Sequence, residues 1–178
     1  MSGAVVTLCV VGCDGPTTVP PTGGDTPGDT PGDTTSATTR PPRSTFSNDE
    51  LCGLLTADES ARLGADGTPE PSFSIGSANP ICSWDGSATG LTVEFAPGVL
   101  VDTVEQRSDE TKAMVTVLGR PAVRFRTNGV PEFCQILVDV SPTSSMAFRT
   151  NVHDDGSGFE VCDLANELAT IVLPKVKG

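Results

Sequence analysis

Cys52, Cys82, Cys134 and Cys162 set the strongest limit on what this chain can fold into. They are an even number, each within or beside a predicted regular element, and none forms a CxxC pair. Thioredoxin-type redox chemistry and zinc-ribbon spacing are therefore not indicated. In an exported chain such a set forms two disulfides. Three connectivities are open, and the one expected joins Cys52 to Cys82 and Cys134 to Cys162. Each would close a loop of about 30 residues, which stabilises a fold by roughly 3–4 kcal/mol through restriction of the unfolded chain.

The case for export comes from the N-terminus. Residues 4–11 (AVVTLCVV), which include Cys9, form a continuous apolar run. It is far shorter than the ~20 residues that span a bilayer, but it fits the end of a signal-peptide apolar region. Val10-Val11-Gly12-Cys13 follows directly and resembles the bacterial lipobox. That resemblance implies cleavage before Cys13 and a diacylglyceryl group on its thiol. Residues 1–12 are thus read as a signal remnant. They hold no Lys or Arg, and a working signal needs a positively charged start. Translation is therefore expected to begin upstream of Met1.

Residues 13–44 carry the lipidated cysteine and a tether dense in Thr, Pro, Gly and Asp, with the short repeat Gly24-Asp25-Thr26-Pro27 and Gly28-Asp29-Thr30-Pro31. A segment with almost no large apolar residue cannot offset its own ordering entropy, so disorder is expected there. The formal net charge of −12, from 23 acidic and 11 basic residues, argues against nucleic acid as a partner. It also argues against adsorption to anionic lipid through a basic patch, so membrane contact is assigned to the lipid on Cys13.

The folded domain is placed at 45–178. Ser47-Asn48-Asp49-Glu50 and Thr56-Ala57-Asp58-Glu59 have capping-box spacing and predict short helices over about 49–55 and 57–63. Period-two alternation predicts strands at 81–84, 91–95, 114–118, 122–126, 133–140 and 146–152. A helix is expected over about 101–108. Another is expected over 160–172, where Val161, Leu164, Leu168, Ile171 and Val172 recur at three- and four-residue steps. The expected fold class is α+β: a mainly antiparallel sheet with helices packed on it and two disulfides.

Several of these pieces resemble a family of actinobacterial secreted lipoproteins built on a domain of unknown function. They are Cys52-Gly53-Leu54-Leu55-Thr56 with Glu59 and Gly64, Cys82-Ser83-Trp84, Gly119-Arg120-Pro121-Ala122-Val123, Cys134-Gln135-Ile136, and Cys162 leading to Leu173-Pro174. The resemblance covers about 51–174. It implies a lipid anchor, paired cysteines and a Gram-positive, high-GC source, and it implies no activity.

His153 is the only histidine, so it is the only candidate base for a Ser-His-Asp arrangement, and no GxSxG elbow accompanies it. An exposed loop histidine is the ordinary account. Asp154-Asp155-Gly156-Ser157-Gly158 clusters oxygens without the ligand spacing of an EF-hand loop and reads as a solvated turn. Neither a metal nor a cofactor is called for. Trp84 is read as core packing against a disulfide. Arg124 and Arg126 point to one face of their strand, and Gln135, Asp139, Arg149 and Asn151 share that face if the strands pair nearby. Arg124, Arg126 and Arg149 would then form a weak anion-binding site through bidentate guanidinium contacts; cross-strand Arg–Asp pairing is the plainer account.

The function expected is that of a non-enzymatic lipoprotein at the outer face of the cell membrane, binding a small ligand or an envelope protein. An accessory subunit of an envelope or secretion assembly, and a glycan-acting enzyme using two carboxylates, remain open. An apolar surface patch would favour the subunit, a deep polar cleft the enzyme and a deep apolar cavity the binding module.

Overall fold

The computed structural model describes residues 46–127, 131–153 and 158–176. Cys9, Cys13, the lipobox, the tether and Asp154-Asp155-Gly156-Ser157 lie outside the described residues.

The two capping boxes start two short helices, α1 (Asn48–Cys52) and α2 (Ala57–Arg62). In each, the hydroxyl of Ser47 or Thr56 accepts the N–H of the glutamate three residues on, and that glutamate's carboxylate accepts the cap residue's own N–H. Seven strands follow: β1 (Glu70–Phe73), β2 (Pro80–Asp85), β3 (Thr89–Pro97), β4 (Glu110–Val117), β5 (Arg120–Thr127), β6 (Phe133–Ser141) and β7 (Ser144–Val152). Helix α3 (Val161–Val172) comes last and passes into a 3-10 turn at Leu173–Lys175. All strands pair antiparallel in one sheet of order β1-β2-β3-β7-β6-β5-β4. This is the mainly antiparallel sheet the alternation predicts, with little helix beside it.

β4 and β5 meet through the two-residue loop Leu118-Gly119, both at positive φ (50° and 77°). Such a loop matches the twist of the flanking strands and favours glycine at its second position. The helix expected over 101–108 does not form. The 98–109 segment is instead drawn over the sheet by tertiary bonds: Val101 N–H donates to Asp139 Oδ1 (2.9 Å) and Lys112 Nζ to the Val104 carbonyl (2.5 Å). β1 was not expected; all four of its residues are exposed and Pro71 interrupts them, so no alternation marks it.

One face of the sheet carries the main core. Trp84, Leu91, Val93, Ile136, Val138, Met146 and Phe148 pack there with Leu51, Leu54 and Leu63 and with Leu164, Leu168 and Val172 of α3. Cys52–Cys82 joins α1 to β2, and Cys134–Cys162 joins β6 to α3; both pairs lie at disulfide distance with Cα atoms 5.1 Å apart. The opposite face carries a smaller cluster of Val101, Val123, Phe125, Leu137 and Ala147 beneath the 98–109 segment.

Candidate functional site

Strand register decides where the arginines go. Arg124 pairs across to Ile136 and Arg126 to Cys134, so both stand on the face that carries α3. Gln135 pairs with Arg149 on one side and with Phe125 on the other, so Arg149 stands on the opposite face. Asp139 and Asn151, by period two, share that face with Gln135 and Arg149. The anion site expected from Arg124, Arg126 and Arg149 together is therefore corrected: the three do not meet. A one-residue offset in register is enough to separate them, because it transfers a whole alternating set of side chains to the other face. Arg126 is moreover paired with Glu132 and lies 3.8 Å from Glu160.

Arg149 borders an open concavity of about 490 Å³ on the smaller-cluster face, lined by Val104, Glu105, Arg107, Glu110, Phe125, Pro131, Phe133, Gln135 and Asn151 as well. The sheet supplies the row Arg149, Gln135, Phe125, Lys112 across β7, β6, β5 and β4. The 98–109 segment supplies the wall. Gln106 Nε2 fixes that wall by donating to the Glu110 carbonyl (2.6 Å), and the Lys112 ammonium lies 5.8 Å from the Phe125 ring centre.

The Arg149 guanidinium is exposed and held in place. Its Nε and one terminal nitrogen both donate to Gln135 Oε1 (3.1 and 2.8 Å), and its carbon lies 5.9 Å from the Phe133 ring centre. A neutral amide fixes the group without cancelling its charge. No carboxylate of the described residues forms an ion pair with Arg149. Glu110, on the same sheet face, is only 9% exposed and likewise forms no ion pair among the described residues. Sequence reasoning missed Glu105, Arg107 and Glu110, because they lie in or beside the segment expected to be a helix.

His153 is exposed at the end of β7, where its backbone N–H donates to the Ala88 carbonyl (2.9 Å). Trp84 is buried in the main core. At the sheet's β1 edge, Phe73 and Ile75 are exposed, and Phe73 lines a second concavity with Phe46, Pro71 and Pro80.

The family model described as Protein of unknown function (DUF3558) matches residues 8–175, and the chain belongs to that family. No curated protein and no solved structure matches the chain.

Proposed function

We propose that this member of the DUF3558 family is an exported binding module, anchored through a lipid on Cys13 to the outer face of the cell membrane, that takes a small ligand in the Arg149 concavity. The observation that carries the reading is the pre-oriented guanidinium: bonded to a neutral amide, backed by an aromatic ring, and left without a carboxylate partner among the described residues. Arginine held in this manner presents its remaining N–H groups as a fork suited to carboxylate or phosphate. The concavity is of a size usual for small-molecule sites, about 300–1,000 Å³. The anchor is supported by the VVGC run at 10–13.

A second reading, a subunit of an envelope assembly, draws on exposed Phe73 and Ile75. One experiment addresses both. Protein expressed with an upstream signal sequence should sediment with membranes and carry a diacylglyceryl mass on Cys13, and Cys13→Ser should release it. Equal behaviour of the two forms would overturn the anchor. Extraction as a larger complex that Ile75→Ser dissolves would transfer the reading to the subunit.

A further inference from the structure

The charges around the concavity are not equally committed. Arg107 Nε lies 3.4 Å from Asp109 Oδ1, and the Lys112 ammonium is engaged by the Val104 carbonyl. Three of these charged side chains, with their places fixed by the sheet, form no ion pair among the described residues: Arg149 on β7 and Lys112 and Glu110 on β4; of these, Arg149 and Glu110 line the concavity. Glu105, exposed on the wall, adds a second carboxyl group at the Glu110 side. A simple anion would satisfy Arg149 but leave the acidic end uncompensated, and a simple cation would do the reverse. Glu110 is buried, and a buried charge is costly unless it is paired, while exposed Arg149 keeps free N–H donors for an anion, so the two together are complementary to a molecule with an anionic end and a cationic end.

Register gives the spacing. Arg149 and Glu110 stand on strands three places apart, and Glu110 is two residues along β4 from Lys112, which shares the row of Arg149. With strands ~4.8 Å apart and ~3.3 Å per residue, the two Cα atoms are roughly 16 Å apart. Both residues line the same concavity, so a ligand shorter than this Cα separation is reached by the two long side chains. An extended peptide of three residues places its terminal ammonium and carboxylate about 10 Å apart. The row between the two strands holds Phe125 and Gln135, and the lining adds Phe133, Pro131 and Val104, which suit an apolar side chain, and Asn151, whose amide with that of Gln135 suits a peptide group.

We propose that the concavity binds a short extended zwitterion, a peptide of about three residues with free termini, its carboxylate on Arg149 and its ammonium on Glu110. This inference rests on the reading of the concavity as a ligand site. The test is a titration of the full chain with the tripeptide Ala-Leu-Ala, its N-acetyl form and its C-amide form. Binding is followed by calorimetry and by the NMR signal of the Arg149 side chain. The free tripeptide should bind, and each blocked form should bind at least tenfold more weakly. Arg149→Gln should abolish the discrimination against the amide while keeping that against the acetyl form, and Glu110→Gln should do the opposite. Should Glu110→Gln not fold, the contrast between free and acetylated peptide on the parent protein still decides the point. Equal binding of the acetylated and free peptides overturns the zwitterion and leaves the ligand site standing. No response of the Arg149 signal to any of the three overturns both.

Discussion

Glu59 closes the cap of α2 and also ties down the far end of the chain. Its Oε2 accepts the Thr56 N–H and hydroxyl (both 2.9 Å) and the Lys175 ammonium (2.6 Å), while the same ammonium donates to the Leu54 carbonyl (2.9 Å). The ammonium of Lys175, helped by the Thr56 N–H, lowers the Glu59 carboxyl to about 2. A carboxyl held below its ordinary value near 4.5 contributes stability above that value and loses it as the pH falls toward 2. With the Glu59 side chain 25% exposed and that of Lys175 34% exposed, solvent screening limits the pair to about 1 kcal/mol. Lys175→Met, which keeps the apolar stem, should therefore lower stability by about that amount at pH 7. It should also flatten the decline between pH 4.5 and 2, as read from urea midpoints. An unchanged slope would show that the pair does not couple folding to protonation. The cap itself was legible, since Thr56 and Glu59 are three residues apart. Lys175, separated from Glu59 by 116 positions, was not, because only the tertiary fold brings it there.

The same contrast governs whole elements. Six of the seven strands were legible because alternation is a local property of a half-buried strand. The all-exposed Glu70–Phe73 strand and the 98–109 segment were not, because edge pairing decides the first and bonds to Asp139 and Lys112 decide the second. Alternation assigned Arg124 and Arg126 to one face of their strand, but it carries no information on cross-strand register, and the expected three-arginine site failed on that point. The disulfide pairing emerged as expected. Helix α3 is a direct test of what its disulfide adds. Besides Cys134–Cys162, its first turn is held by the Thr150 hydroxyl donating to the Val161 carbonyl (2.6 Å) and its inner side by Leu164, Leu168 and Val172. The paired change Cys134→Ala with Cys162→Ala should cost roughly 3–4 kcal/mol while leaving α3 docked. Amide exchange in α3 should accelerate in step with global unfolding. Exchange far faster than that would mean that the disulfide, rather than packing, holds the helix in place.

Across the folded residues as a whole, neither disulfide links the two halves of the sheet. Cys52–Cys82 lies within the half made by α1, α2 and β1 to β3, and Cys134–Cys162 within the half made by β4 to β7 and α3. They are joined by the β3–β7 ladder, paired from Thr89 with Val152 to Pro97 with Ser144, by a main core that draws residues from both halves, and at the surface by Lys175 on Glu59 and Leu54. Val93 and Phe148 face each other across that seam, both fully buried. A shared core of this kind makes partial unfolding expensive, because freeing either half exposes the apolar surface of the other. Two natural probes report the halves separately: Trp84, the only tryptophan, on β2, and the buried methyl groups of Leu168 on α3. Phe148→Ala removes the ring at the seam and should cost about 3–5 kcal/mol, the usual range for truncating a buried phenylalanine. In urea, Trp84 fluorescence and the Leu168 methyl signals should still change at one midpoint, shifted equally for both probes, as a single cooperative unit requires. Separate midpoints in the variant would show instead that each disulfide-stapled half holds together alone and that the seam couples them only weakly.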